Sequence, residues 1–334
     1  MRGYLAYLAG RLAQFALVVF IGINIVFFIT HATPIDPVEQ MIAAATQFGT
    51  TSPEAISMMR QSLRELYGLE GGLLQQYATF WRRMAVLDFG PSLSAFPTPV
   101  AVLIGRAAPW TAGLWSAATL VSWSLGNLLG GLAGYYPRSR LLRVAGGVAI
   151  ALHPIPYYIM GFVLLILFGY VWPILPITGG YQINLARGFD LTFAASVLRH
   201  ALLPGLSLVL VGLGGWFMGM RSLVSNIVTE DYVVFAELGG VRRNRILGSY
   251  VMRNALAPQV TGLAMSVSTI YTGVIIVEQV FGYPGLGSLL VSGVLAGDYG
   301  LVLGVASVSI VAVALAVLAI DLLYPLIDPR VKVG

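Results

Sequence analysis

The chain has 334 residues, 57% of them hydrophobic and 10% charged, with 19 Lys and Arg against 14 Asp and Glu for a net charge of +5. Soluble domains hold about a quarter charged residues, so a water-soluble fold is excluded. The single lysine, Lys332, precedes Val333 and cannot complete the Gly-x-x-x-x-Gly-Lys-[Ser/Thr] loop of a P-loop ATPase; the absence of cysteine excludes disulfides, thiolate nucleophiles and thiolate-ligated metals.

A helix needs about 20 predominantly apolar residues to cross the hydrocarbon core. The first such stretch, Leu12 to Ile35, follows Arg2 and Arg11. It exceeds a signal-peptide core and shows no small-x-small cleavage site, so residues 1–35 read as a retained transmembrane helix. Residues 36–106 are too patterned for a mere connector. Ser52, Pro53 and Glu54 read as N-cap, N1 and N2 of an amphipathic helix, with Ile56, Met59, Leu63 and Leu66 on one face and Gly68 as its stop. A second helix runs from Leu73 through Tyr77, Phe80 and Met84, its Arg82 and Arg83 expected to snorkel at an interface or to contact a partner. The pair forms a hairpin on the outer face that either caps the helices or docks a soluble protein.

A core of five further spans occupies residues 107–330. The second span runs from Ala107 to Pro137, and Gly126, Gly130 and Gly134 recur every four residues on one face, the spacing of close helix packing. The third runs from Val144 to near Val171, where Trp172-Pro173, Pro176 and Gly179-Gly180 end it; His153 stands beside Pro154 and Pro156, which break or kink the helix. His200 to Met220 is the fourth span, Asn254 to Val277 the fifth and Tyr299 to Ile320 the sixth. The uncharged stretch Gln279 to Gly297 is interrupted by Gly282, Pro284, Gly285 and Gly287 and reads as a re-entrant or surface loop. The fold class is therefore an all-α polytopic membrane protein with six transmembrane helices.

With the N-terminus inside, twelve cations fall on the cytoplasmic side: Arg2, Arg11, Arg138, Arg140, Arg143, Arg221, Arg242, Arg243, Arg245, Arg253, Arg330 and Lys332. The short outer loops keep only Arg187 and Arg199, so both termini are expected in the cytoplasm. Ionisable groups inside the spans are scarce: Glu278 at the outer end of the fifth, Asp321 near the inner end of the sixth, His153 in the third. Ion-coupled carriers place relays there, so energy for uphill transport is expected to enter from outside the membrane. Asp321 reads as a structural partner for an interfacial arginine. The three histidines, His31, His153 and His200, share no metal-binding spacing, and no Gly-x-Ser-x-Gly elbow exists, so neither a metal cofactor nor a hydrolase nucleophile is expected.

The inner loop between the fourth and fifth spans, Arg221 to Arg253, is the most informative polar segment. Acids at Glu230 and Asp231 suit a helix N-terminus, Gly239-Gly240 ends that helix, and a basic helix leads back through Pro258. A positive-inside loop alone needs neither the acidic start nor Val233, Val234, Phe235 and Leu238 as an apolar surface; a groove on a cytoplasmic subunit explains both.

At this segment the sequence resembles the permease subunits of ATP-binding-cassette importers, the dipeptide, oligopeptide and nickel type. The family has Glu-Ala-Ala, three residues, then Gly; Ala236 matches the second alanine and Gly240 the glycine, followed by a matching Arg253-Asn254-Ala255-Leu256 and Pro258, while Val234 and Phe235 replace the first Glu-Ala. Further matches are Pro34-Ile35-Asp36-Pro37, Leu66-Tyr67-Gly68-Leu69 through Gln76-Tyr77, Leu87-Asp88-Phe89-Gly90 and Pro156. Phe281-Gly282-Tyr283-Pro284-Gly285-Leu286-Gly287 with Asp298-Tyr299, and Asp321-Leu322-Leu323-Tyr324 with Asp328-Pro329-Arg330, resemble the C-terminal signature.

The resemblance implies a type I importer transmembrane domain in the prokaryotic inner membrane. It implies pairing with a second permease, two cytoplasmic ATP-binding subunits that hold ATP and Mg, and an extracytoplasmic solute-binding protein; this chain binds no cofactor, no nucleic acid, and catalyses nothing alone. Coupling to the ATPases falls to Asp231, Tyr232, Phe235, Ala236, Gly239, Gly240, Arg242, Arg243 and Arg245, and the pathway candidates are His153, Pro156 and Glu278. Peptide is the leading cargo, with oligosaccharide or nickel complexes as alternatives. The competing classes are a stand-alone carrier or channel, disfavoured by the scarcity of embedded charge, and a membrane enzyme, disfavoured by the absent catalytic constellation.

Overall fold

The computed structural model describes residues 2–32, 36–46, 52–186, 188 and 190–327, and the regular elements among them are all helical. In chain order these are α1 (Arg2–Ala32), α2 (Pro37–Thr46), α3 (Pro53–Tyr67), α4 (Leu73–Ala85), α5 (Val100–Tyr135), α6 (Arg140–Leu152) and α7 (Tyr157–Leu165), which widens into a π-helical turn over Ile166–Val171. Then come α8 (Leu191–Ile227), α9 (Asp231–Leu238), α10 (Arg243–Arg245) with a π-helical stretch Ile246–Met252, α11 (Arg253–Val280), α12 (Leu286–Leu295) and α13 (Tyr299–Ile327). Pro34 and Ile35, Arg187, Asp328-Pro329-Arg330 and Lys332 lie outside the described residues.

Among the described residues, three helical stretches are long and apolar enough to cross a membrane alone: Ala6–Ala32, Leu191–Ile227 and Tyr299–Leu322. A fourth crossing results if the pair Arg140–Leu152 and Tyr157–Val171 is taken together, though it is bent by 108°. The expected third span is thus two helices and not one. The cause is local: Pro154 and Pro156 lack the N–H that an α-helix needs, and each disfavours helical geometry in the residue before it. The stretch from Gln279 to Gly297, expected as a loop, contains α12; with ten residues, about 15 Å of helix, it is too short to span. The segment after the first span also holds α2, which the sequence reading passed over.

The chain divides into two compact units, one built on Thr111–Pro284 with the ends of the chain, the other on Leu8–Trp110 with Gly285–Leu318. In the first, glycines set the helix order. Gly126 faces Leu213 and Trp216, Gly130 faces Phe217, and Gly134 faces Arg221 and Val224, so α5 and α8 run parallel in close contact. A Cβ at Gly126 would lie 2.5 Å from Trp216 Cβ, one at Gly134 2.8 Å from Val224 Cγ1, and one at Gly130 would overlap the Phe217 backbone. The expected packing role of this stripe is what the structure shows. α11 runs the other way: Thr111 meets Glu278, Trp123 Nε1 donates to Gln259 O at 3.1 Å, Gly131 faces Met252, and Tyr135 Oη reaches Arg243 O at 3.4 Å. α6 is antiparallel to α8, with Gly146 against Phe217, Ala149 against Gly214 and His153 Nδ1 3.1 Å from Val211 O. One end of this unit therefore gathers the close of α5, the start of α11 and the segment between α8 and α11.

In the second unit, Ser52 Oγ accepts from Ala55 N at the start of α3, and Gly68 closes it in the left-handed conformation at φ 68°. Leu63 is buried with Val38 and Ile42 of α2, joined by Ile56, Met59 and Tyr67; Leu66, expected on this face, is exposed, and Tyr67 and Leu69 fill that place. Two pairs tie α3 to the preceding segment, Arg64 to Asp36 at 3.0 Å and Arg60 to Glu39 through two bonds of 2.6 and 2.9 Å. The Arg60 guanidinium holds the Glu39 carboxyl below its ordinary range. The Arg83 guanidinium donates to Leu66 O at 2.8 Å and Glu65 O at 3.3 Å, capping the C-terminus of α3. α4 rests on α1 through aromatic rings, Phe27 beside Tyr77 and Phe80 and Phe20 stacked on Trp81 at 5.5 Å, with Tyr77 Oη donating to Asn24 Oδ1 at 2.7 Å.

Candidate coupling segment and buried polar groups

α9 carries the segment singled out for coupling. Its end is a Schellman turn written by Gly239-Gly240-Val241. Gly240 sits at φ 73°, Gly240 N donates to Glu237 O at 3.0 Å and Val241 N to Ala236 O at 3.1 Å. The two sides of this eight-residue helix have different fates. Val233 and Ala236 are buried in one cluster with Met220 and Val224 of α8, Ile246 and Val251 of the π-helical stretch and Ala255 of α11. Phe235 is 77% exposed and Leu238 80%, with Tyr232 and Val234 partly exposed beside them. Val233 is thus not part of the outward apolar surface, and Ala236 anchors the helix from beneath. The eight residues are apolar on both sides, so no periodicity distinguishes the buried face from the open one.

The remaining coupling candidates lie in the same segment. Asp231 is exposed at the first turn, where a carboxylate complements the helix dipole, and Tyr232 Oη accepts from Asn254 Nδ2 at 3.2 Å. Arg242, Arg243 and Arg245 are exposed along the turn that follows. An exposed apolar patch on a packed seat, in a segment that also exposes Glu230, Asp231 and Glu237 and the three arginines, has the make-up of a protein-docking surface.

The three pathway candidates are not brought together by a shared contact. His153 and Pro156 flank the break between α6 and α7, both exposed, with His153 held to the Val211 carbonyl of α8. Glu278 lies on α11, fully buried, its Oε1 accepting from Thr111 Oγ1 of α5 at 2.6 Å. Nearby, burial and the Glu278 charge push the Tyr283 phenol up to about 12, while Tyr283 N donates to Glu278 O at 2.8 Å. Glu278 therefore joins α5 to α11. Thr111→Val, which keeps the shape and removes the hydroxyl, is expected to cost about 0.5–1.5 kcal/mol, the net scale of one hydrogen bond. Thermal unfolding of the detergent-solubilised chain reads it; an unchanged midpoint would show that this bond contributes nothing.

A second buried carboxylate escaped the sequence reading as a site. Asp298 caps α13, with Leu301 N donating to Oδ1 at 3.0 Å, and its Oδ2 accepts from Ser92 Oγ at 2.6 Å, Ser94 N at 3.0 Å and Ser94 Oγ at 3.1 Å. It pins the loop before α5 to the start of α13. An acid one residue ahead of a long apolar run is an N-cap signal; the serines lie too far off in sequence to be inferred. Among the described residues no three His, Asp or Glu side chains gather as a metal would require.

Comparison with known proteins is consistent along the whole chain. Residues 126–333 match the family model described as "Binding-protein-dependent transport system inner membrane component". The chain is 28% identical over 318 residues to the oligopeptide transport system permease protein AppB of Bacillus subtilis, covering 94% of this chain and 95% of that one. It is 29% identical over 330 residues to the dipeptide transport system permease protein DppB of Escherichia coli K12 (94% and 95%). With the probable D,D-dipeptide transport system permease protein DdpB of the same organism the identity is 30% over 327 residues (93% and 92%).

Proposed function

The chain belongs to the binding-protein-dependent transport system inner membrane component family, as a permease subunit of a peptide-type ABC importer, and on that premise we propose that it forms half of an ATP-driven import pathway for dipeptides or oligopeptides. Permease subunits of this kind are not catalytic alone and act within an ATP-hydrolysing complex. The rest of that complex is a second permease, two cytoplasmic subunits that bind ATP and Mg, and an extracytoplasmic solute-binding protein that selects the cargo.

In this reading six helices span the membrane: α1, α5, the bent α6–α7 pair, α8, α11 and α13. α5 and α11, with 36 and 28 residues, are each long enough to cross. Residues 36–106 form the outer hairpin and 107–330 the permease core. The exposed arginines after α5 and around α9 support a cytoplasmic position for that end, and in this reading both termini lie on the same side.

The observation that carries the proposal is the exposed Phe235–Leu238 face on a helix whose other side is locked into α8 and α11. Closure of the ATPases pushes α9, the push passes to those two helices, and access alternates between outside and inside. Asp231, Tyr232 and the exposed arginines orient the contact, Gly239 and Gly240 shape it, and the His153–Pro156 break supplies the bend in the moving layer. The test is reconstitution of the five-part complex in liposomes with tripeptide, maltooligosaccharide and nickel-chelate cargos. Uptake of tripeptide that needs ATP and the binding protein is expected; accumulation of sugar or nickel instead would replace the cargo assignment, and accumulation by this chain alone would end the importer reading.

A further inference from the structure

The second unit forms a half-open cavity of about 370 Å3 between the Ala32 end of α1, the α3–α4 hairpin and the first turn of α13. Its walls are aromatic, with Phe27, Phe80 and Phe89, and its lining carries two guanidinium groups and two carboxylates. These balance in number but not in pairing. Arg64 is bonded to Asp36 at 3.0 Å, and Asp88 Oδ1 accepts from Gly90 N at 3.0 Å. Arg83 bonds only to the neutral carbonyls of Leu66 and Glu65, so among the described residues its charge meets no carboxylate, and three of its five N–H donors remain. The Tyr67 hydroxyl lines the same cavity, is buried and has no hydrogen-bond partner. Burial, with the Asp298 charge, pushes that phenol up to about 12, so it stays an O–H donor at physiological pH.

A buried donor and a cation without a carboxylate partner, lining one aromatic cavity, are a binding arrangement lacking its acceptor. We propose that this cavity binds an oxyanion, a carboxylate or a phosphate, carried on a small apolar body: Arg83 and Tyr67 donate to the oxyanion, and Phe27, Phe80 and Phe89 enclose the body. The apolar stretch of α1 ends at Ala32, so the cavity lies where a span meets water and both a dissolved carboxylate and a phospholipid headgroup can reach it. The assignment stands apart from the transport reading and is tested without transport.

Tyr67→Phe is the informative variant, because it keeps the ring and removes only a hydroxyl that is otherwise unsatisfied. Arg83→Gln also removes the cap of α3 and serves as a secondary probe. The full chain in phosphatidylcholine nanodiscs is titrated with N-acetylphenylalanine or its uncharged amide, and separately reassembled with rising fractions of phosphatidylglycerol, thermal unfolding being followed throughout. The wild type is expected to gain stability with the carboxylate and not the amide if the ligand is a solute, or with phosphatidylglycerol if it is a lipid. In either arm the half-maximal point moves about five- to tenfold higher in Tyr67→Phe, the loss of one hydrogen bond. No shift of the wild type in either arm, or equal shifts in wild type and Tyr67→Phe, overturns the proposal.

Discussion

Phe235→Asp is expected to abolish ATP-driven uptake in the reconstituted complex while the subunit still folds. The side chain is 77% exposed, so its replacement leaves the buried cluster under α9 intact and opens no cavity. An aromatic anchor seated in a partner's groove is worth about 2–4 kcal/mol on truncation, roughly 30- to 1000-fold in affinity, and a carboxylate in that groove adds a desolvation penalty. Stimulation of ATPase activity by the permeases should fall with uptake, because the two share one contact. Gly240 gives a graded companion. Its φ of 73° disfavours residues with a Cβ by roughly 1–2 kcal/mol, and a carboxylate there also opposes the helix dipole. Gly240→Asp should therefore impair coupling and Gly240→Asn should impair it less, since asparagine tolerates this conformation. Wild-type uptake in Phe235→Asp would remove α9 from the coupling role.

Gly130→Leu is expected to prevent assembly of the first unit altogether. A Cβ at this position meets the backbone of Phe217, which no rotamer change relieves, so α5 and α8 must separate along their whole glycine contact. Separation exposes Ala133, Ala149 and Phe217, the buried cluster that α6 completes. Gly130→Ala asks for less, and overpacking by one methyl group costs about 1–3 kcal/mol. Yield of monodisperse protein in detergent should fall to near zero for leucine and in part for alanine, while Gly113→Ala on the same helix, where a Cβ meets nothing, should leave it unchanged. Equal yields for Gly130→Leu and wild type would show that the helices have room to part.

These two sites differ in how readable they were. The glycine stripe, the Ser52 cap, the Gly68 stop and the Gly239-Gly240 turn are local features, each decided within a few residues, and the structure places them as the sequence does. The pairings are not local. Thr111 and Glu278 are 167 positions apart, Ser92 and Asp298 206, and nothing in either neighbourhood names the partner. That Val233 is buried and not outward is not legible, because an eight-residue helix with apolar side chains on both sides has no face to predict. α12 is not legible because Gly282, Pro284 and Gly285 precede it and Gly287 lies in its first turn, all of them residues that ordinarily interrupt helices. In the third span the prolines were read correctly as a break, but the size of the bend, 108°, depends on where α7 docks against α8 and α11.

Val233 and Ala236 share their seat with side chains from α8, from the π-helical stretch and from α11, two long helices of opposite direction. A rivet through two antiparallel planks opposes their sliding past one another at that point. In the coupling proposed above, a stroke applied to α9 is therefore expected to swing both helices together, with the far end, where Glu278 fastens α11 to α5, travelling the longer arc.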